Sequence, residues 1–202
     1  MDNPSARVKL GARLVNYRTL AQLEAGLDEI RNSPKDIGVL ALISRRPRTE
    51  EREVLEEAQL CLVEGLVGDN WKARGSKRTT DGAAHPELQI TLMNARVIAL
   101  VARDRADWAL AGDQLFIDLD LSTKNIPPGT QLEIGTARIE ITAYPHTGCR
   151  KFMARFGPEA TEFVNSPTGR ELQLRGVNAK VIRAGKIRVG DAVTKRPAPL
   201  PG

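Results

Sequence analysis

The chain has 202 residues, enough for one sizeable domain, and its 41% hydrophobic and 27% charged residues are ordinary for a globular protein. Its net charge is +5, but aromatic residues make up only 4% and acidic residues separate the basic ones, which argues against nucleic-acid binding. The first ten residues lack a signal-peptide core, no apolar run could span a bilayer, and two cysteines fit a reducing compartment. We therefore expect a cytoplasmic protein without membrane contact.

The first half predicts helices and strands after a loose lead-in over residues 1–18. Leucines and isoleucine at helical spacing follow the capping residue Thr19, which predicts a helix to Arg31. The apolar run Ile37 to Ile43 is typical of a buried strand. The pattern then predicts these elements in order: a helix from Thr49 to Leu62, a polar loop to about Pro86, a strand from Leu88 to Met93 and a helix from Asn94 to Arg103.

The second half is richer in strands. Apolar and polar residues alternate from Gln114 to Asp120, with Phe116 on the polar side, around Leu132 and Ile134, and from Arg138 to Ala143. Strands at Ala179 to Arg183 and Ile187 to Thr194 are predicted to form a hairpin around Gly185. Because helices and strands do not alternate regularly, we expect an α+β fold with a barrel-like sheet, in a single domain over residues 19–195 with a proline-rich tail at 196–202.

Cys149 is the strongest candidate for chemistry. It lies between two predicted elements. Before it, Tyr144-Pro145 ends the strand from Arg138 to Ala143, and after it a helix is predicted from Lys151 to Phe156, with Phe152, Met153 and Phe156 on its core face. The helix dipole, the nearby basic side chains and His146 all favour a thiolate there. Cys61, in contrast, lies between leucines in the predicted second helix, where a buried structural role is favoured.

Other site types are poorly supported. A structural zinc site needs four ligands, and only His85 and Cys61 could join His146 and Cys149. A Cys149–His146 dyad has no identifiable third residue to orient the histidine. Glycine-rich phosphate loops and a helical H-E-x-x-H motif do not occur.

Two polar clusters and a repeated dipeptide complete the candidate features. The segment 175–179 begins with Arg175-Gly176 and contains Asn178, which suits contact with an anion. The segment 122–125, with Lys124 and Asn125, precedes a proline–glycine turn and has a simple turn as its alternative interpretation. Gly-Asp occurs at 68–69, 112–113 and 190–191, where turn formation is the favoured interpretation.

The order and spacing of these elements resemble a known family. Several stretches carry the resemblance: Gly112-Asp113, 118–122, Pro128-Gly129, Ile134-Gly135, 139–142, 145–149, 175–179, Gly185 and Gly190-Asp191, with a weaker match at 65–69. They resemble the MOSC domain, the C-terminal module of molybdenum cofactor sulfurases that also occurs as stand-alone bacterial proteins. The resemblance is strongest over residues 112–195.

The resemblance implies a β-rich barrel in which one cysteine, corresponding to Cys149, carries sulfur or binds molybdenum. It also implies that polar residues at the pocket mouth hold the anionic molybdopterin. The nominated residues are Arg175, Asn178, His146, Lys151, Lys124 and Asn125. A dithiolene supplies two sulfurs to the metal, so one protein thiolate would complete such a site without a four-ligand motif.

Three functions remain open at this point. The first is a stand-alone module that binds molybdenum cofactor or carries a persulfide on Cys149, supplied by a sulfur-donor protein. The second is a small molybdenum-dependent reductase of N-hydroxylated compounds that needs a separate electron donor. The third is a non-catalytic binding module. The chain leaves no room for the pyridoxal-phosphate domain of a sulfurase, so we expect no pyridoxal phosphate in this chain.

Overall fold

The computed structural model describes the backbone of residues 6–7 and the structure of residues 17–102 and 104–196. The strands are β1 Ala6–Arg7, β2 Ile37–Arg45, β3 Glu53–Leu55, β4 Glu57–Cys61, β5 Gly65–Leu66, β6 Ile90–Asn94, β7 Leu115–Asp118, β8 Gln131–Ile134, β9 Ala137–Ile141, β10 Val177–Arg183, β11 Gly185–Arg188 and β12 Ala192–Arg196. The helices are α1 Leu20–Glu24, α2 Leu27–Arg31, α3 Trp71–Arg74, α4 Ala95–Ala102, α5 Arg150–Phe156, α6 Pro158–Asn165 and α7 Pro167–Glu171, with 3-10 turns at Pro86–Leu88 and Arg105–Ala111.

Seven strands form a closed barrel. Their order is β2, β12, β8, β9, β10, β6 and β7, and β7 pairs back onto β2. Neighbours are antiparallel except for β6 and β7, which run parallel with Leu92 opposite Leu115. Strand β3 pairs with the end of β2 outside this ring, and β1 pairs with β3. The prediction of an α+β fold with a barrel-like sheet is confirmed.

Two apolar layers stabilise the barrel. Alternate side chains point inward because strand residues alternate between faces, and these fill the interior, including Leu40, Leu92, Ile117 and Ile139. A second cluster joins the outer wall to the helices, and Phe116 belongs to it with no exposed surface. The prediction that Phe116 faces away from Leu115 and Ile117 is confirmed, but helices cover that face of β7, so Phe116 is buried there.

The predicted helix over Thr49 to Leu62 is wrong. This segment forms β3 and β4 instead: Leu55 lies opposite Ile43 of β2, and Leu60 lies opposite Gly185 of β11. Pairing with distant strands therefore overrides the helix propensity of a glutamate- and leucine-rich segment. Cys61 ends β4 and is half-buried.

The predicted terminal hairpin is also wrong. Strand β10 stays in the barrel, whereas β11 pairs with β4 in a separate three-stranded sheet of order β11, β4, β5. Gly185 lies where the chain leaves the barrel, and a Cβ there would come within 2.4 Å of the Thr136 carbonyl carbon. The predicted strand over Ile187 to Thr194 is accordingly divided between β11 and β12.

Smaller differences concern the ends and the helices. The first predicted helix is confirmed at its capping residue Thr19, but it is divided into α1 and α2 at Gly26, where Leu100 packs closely. Of the predicted lead-in, residues 6–7 form β1, while residues 1–5 and 8–16 and the tail 197–202 lie outside the described residues. No helix in the described part of the chain has the length and hydropathy to cross a bilayer.

Candidate functional site

Cys149 stands at the end of a loop that several side chains hold in place. The loop, residues 142–149, joins β9 to α5. Cys149 occupies the N-cap position of α5, where its exposed side chain makes no capping hydrogen bond. Asn178 of β10 donates from Nδ2 to the Tyr144 carbonyl at 3.0 Å. The Asn165 side chain accepts from Gly148 N–H at 2.9 Å and donates to the Gly148 carbonyl at 3.2 Å. The thiol is therefore presented to solvent from a fixed backbone.

His146 of this loop points inward to a buried ion pair. Its Nδ1 lies 3.6 Å from Oδ1 of Asp113, which has no exposed surface. Arg175 donates from Nη1 to the other Asp113 oxygen at 2.6 Å and from Nη2 to the Ala111 carbonyl at 3.0 Å. The Arg175 guanidinium also lies over the Phe152 ring of α5, at 4.9 Å from its centroid. This ion pair thus links β10, the 142–149 loop and α5.

The protonation of these groups follows from their burial. Burial lowers the pKa of His146 well below its ordinary value, and the positive charges of Arg175, Arg46 and Arg78 lower it further. The imidazole is therefore neutral at pH 7. Burial also raises the pKa of Asp113, an effect that pairing with Arg175 opposes.

A second buried ion pair holds the two Gly-Asp elements together. Asp69 accepts hydrogen bonds from Arg46 at N (2.9 Å), Nε (2.8 Å) and Nη2 (2.8 Å), and from Trp71 N–H at 2.9 Å. The same guanidinium donates from Nη1 to the Gly112 carbonyl at 3.1 Å. Gly112 has φ 89°, a left-handed conformation that glycine adopts without strain.

Four arginines meet at the segment Leu110 to Asp113, which ends the second 3-10 turn. Three successive carbonyls accept hydrogen bonds from three of them: Leu110 from Arg155, Ala111 from Arg175 and Gly112 from Arg46. The fourth, Arg52, places its Nη2 3.5 Å from the position that a Cβ on Gly112 would occupy, and we call this side of Gly112 its open face. We call Arg46, Arg52, Arg155 and Arg175 the arginine cluster.

Glu50 connects this cluster to the surface of α5. Its carboxylate accepts from Lys151 Nζ at 2.6 Å and from Arg155 Nη2 at 2.7 Å. These hydrogen bonds and charges lower the pKa of Glu50. Lys151 itself is largely exposed, so it lies at the rim of the cluster.

The structure brings some of the predicted site residues together and leaves others apart. Cys149, His146, Arg175 and Asn178 all lie on or against the 142–149 loop, as described above, and Lys151 is two residues along α5. Asn125 instead donates to the carbonyls of Lys35 and Asp120 and accepts from Lys195 Nζ. Lys124 is exposed on the same turn. Their role in ligand binding stays a prediction.

Sequence reasoning missed the acids and two arginines of the site. Asp69 and Asp113 belong to Gly-Asp dipeptides that were interpreted as turns, and they serve as buried partners for Arg46 and Arg175. Asp191 of the third dipeptide fits the turn interpretation, since it accepts from Arg188 N–H at 2.8 Å. Asp69 and Asp113 differ from Asp191 in being buried, and the Gly-Asp dipeptide alone does not predict burial.

Helix α5 differs from its prediction on one face. Phe152 and Phe156, four residues apart, are buried together with ring centroids at 4.9 Å. Met153 is 42% exposed, so its prediction as a core residue is wrong. One residue along a helix turns about 100° from the buried stripe, which places Met153 toward solvent.

Two cavities lie beside the 142–149 loop. One, of about 480 Å³, is lined by residues 142–147 together with Asn165, Arg170, Gln173 and Gly176 among others. The other, of about 700 Å³, is lined by the basic loop 74–80, Trp71, Gly82, His85 and Leu88. Arg78 of the second cavity lies over the Tyr144 ring of the loop, at 5.0 Å from its centroid. Both volumes suit small-molecule ligands.

The MOSC domain family model matches residues 57–194, which run from the start of β4 into β12 and include the whole 142–149 loop. The chain belongs to the MOSC domain family. No curated protein matches it.

Solved structures support the fold assignment of this MOSC protein. The YuaD protein of Bacillus subtilis is 12% identical with a TM-score of 0.53, over 79% of this chain and 95% of that one. YiiM of Escherichia coli is 20% identical with a TM-score of 0.51, over 80% of this chain and 71% of that one. A hypothetical protein is 22% identical with a TM-score of 0.50, over 83% and 70% of the two chains.

Proposed function

We propose that this MOSC protein binds a molybdenum cofactor, with Cys149 as its thiolate ligand. The observation that carries the proposal is the position of one exposed thiol on a loop whose His146 contacts the segment at which four arginines meet. A soft thiolate and a basic surface are the two features that a molybdenum dithiolene with a phosphate group requires.

The charges of the site favour an anionic ligand. The buried arginine cluster supplies four positive charges, whereas Glu50, Asp69 and Asp113 supply at most three negative ones, and the exposed Lys151 adds a fifth positive charge at the rim. Arg74 and Arg78 add positive charge at the neighbouring cavity. An excess of buried or half-buried cations is costly without an anion, so ligand binding would relieve it.

The donor set fits the cofactor as well. Within the described residues no three His, Cys, Asp or Glu side chains are grouped to hold a metal ion. A molybdopterin would supply two sulfur ligands and the redox chemistry of its metal, and the protein need supply only the Cys149 thiolate. Asn178 and Asn165 hold the loop backbone, and His146 lies buried beside Asp113.

The exposure of the thiol favours a second candidate, a sulfur carrier. Cys149 is exposed at the surface, where a large donor protein can reach it. The Cys149 thiolate would attack the outer sulfur of a donor protein's persulfide, forming an S–S bond on Cys149 and releasing the donor as a thiolate. No external oxidant is needed, because the sulfur moves at the same oxidation level.

Elemental and sulfur analysis tests the proposal. The protein would be produced in a host that makes molybdopterin, purified without reducing agent, and analysed for molybdenum and for cyanide-labile sulfur. The Cys149→Ser variant is compared with Cys61→Ser, which removes the other cysteine of the chain. We expect molybdenum near one per chain in the wild type and in Cys61→Ser, and its loss in Cys149→Ser.

The other outcomes are equally clear. Cyanide-labile sulfur that disappears only in Cys149→Ser, without molybdenum, supports the carrier and overturns cofactor binding. Absence of both from the wild type overturns both candidates.

A further inference from the structure

Within the described residues, Arg52 differs from the other members of the arginine cluster in donating no hydrogen bond to a carboxylate. It is 8% exposed, and its only hydrogen bond within the described residues runs from Nη1 to the neighbouring Glu51 carbonyl. Its Nε is buried without a partner. Arg46, Arg155 and Arg175 each donate to a carboxylate. A buried guanidinium of this kind is costly unless an anion completes it.

The open face of Gly112 is the place where such an anion fits. A Cβ on Gly112 would lie 3.5 Å from Arg52 Nη2 and 3.8 Å from Arg155 Nη1. Because Gly112 has no side chain, the two guanidiniums face a shared space. A ligand oxygen in the space beyond that position, at van der Waals distance from Gly112, would lie between two guanidiniums that can both donate to it.

We propose that Arg52 and Arg155 form an oxyanion site over Gly112 that takes the dianionic group of a phosphate monoester or free phosphate. The proposal rests on the proposed function in that it uses the same arginine cluster, but binding of phosphate by itself requires neither Cys149 nor a metal. Two convergent guanidiniums favour a dianion with several oxygens, because each planar group can donate to two of them.

The charge surroundings agree with this assignment. Burial and the positive charges of Arg155 and Arg46 lower the pKa of Arg52 to about 10. The side chain therefore keeps its charge at pH 8, where phosphate is a dianion. Glu50 also binds Arg155, so it competes with a ligand for that guanidinium.

Titration with inorganic phosphate at pH 8, followed by calorimetry, tests the site. We expect saturable binding of one phosphate per chain and at least a tenfold weakening in Arg52→Gln. Arg48→Gln is the matched control, because Arg48 is an exposed residue of the same segment and loses the same charge. It should stay within twofold of the wild type, and Glu50→Gln should bind more tightly.

Thermal unfolding separates a ligand site from a structural role. Phosphate should raise the Tm of the wild type and of Cys149→Ser but leave that of Arg52→Gln unchanged. Arg52→Lys, which keeps the charge but not the fork, should give an intermediate increase. If Arg52→Gln binds phosphate as the wild type does, or if the wild type does not bind it, the oxyanion site is overturned whatever the molybdenum content.

Comparing a phosphate monoester with inorganic phosphate shows whether the site takes the phosphate end of an organic ligand or the free ion. Glycerol 3-phosphate that binds more tightly than inorganic phosphate, with the same dependence on Arg52, indicates the phosphate end of an organic ligand. Equal or weaker binding of the monoester indicates a site for the free ion.

Discussion

Arg46 and Arg52 are both buried arginines that lie six residues apart, but their surroundings differ. Arg46 donates four hydrogen bonds, counting its backbone N–H, to a carboxylate and a carbonyl. Within the described residues Arg52 has one carbonyl partner, and it is repelled by Arg155 and Arg46. Satisfied charges hold a fold together, and an unsatisfied one costs stability until a ligand arrives. The difference indicates which arginines shape the site and which one is available to it.

The largest expected effect comes from removing the partner of Arg46. Asp69→Asn leaves a buried guanidinium without its counter-charge, which should lower the free energy of unfolding by about 3 kcal/mol or more. Urea unfolding measures this. Asp191→Asn makes the same change in the Gly-Asp dipeptide at 190–191, which forms a turn, and should lower the free energy of unfolding by under about 1 kcal/mol. Equal losses in both variants would contradict the distinction between buried and turn Gly-Asp elements.

An acid titration of stability probes the neutral His146 beside the Arg175 pair. Its folded pKa lies well below the ordinary value, so the unfolded state binds a proton first as the pH falls below about 6.5. Stability should therefore fall by up to ~2 kcal/mol between pH 6.5 and 5, since one proton is worth about 1.4 kcal/mol per pH unit. His146→Gln should lack this component of the pH profile. The same slope in the variant would assign the loss to other groups.

The sign of the stability change in Arg52→Met distinguishes Arg52 from a structural arginine such as Arg46. Without phosphate or cofactor, the variant removes an unpaired buried charge and keeps an apolar side chain of similar length. We expect the free energy of unfolding to stay unchanged or to rise by about 1 kcal/mol. Denaturation in phosphate-free buffer measures it. A loss of several kcal/mol would show that Arg52 is a structural residue like Arg46.

The smallest effect is expected at the rim. Lys151 is 62% exposed, and its Glu50 partner is half-exposed. Lys151→Gln should change the free energy of unfolding by under ~0.5 kcal/mol, because solvent screens such pairs. Thermal unfolding at low and high salt measures it. A larger change would indicate that Glu50 controls the position of Arg155.

The sequence predicts the barrel and the surroundings of Cys149 better than the arginine cluster. Alternation identifies most barrel strands, and Pro145 and Gly148 indicate the loop that presents the thiol. Arg52 was not found because residues 49–62 have the composition of a helix, and the partners that turn them into strands lie far along the chain, at Ile43 and Gly185. Short-range patterns do not contain such pairings.

The arginine cluster also connects segments that are distant in the chain, and this affects the order of assembly. Arg46 reaches Asp69 across 23 residues and Gly112 across 66, and Arg175 reaches Asp113 across 62. Contacts of this range form only when the ends of the loops have been brought together, which is a slow and late event in folding. A partly synthesised or partly folded chain therefore lacks the arginine cluster, and binding of the proposed ligand should follow closure of the barrel.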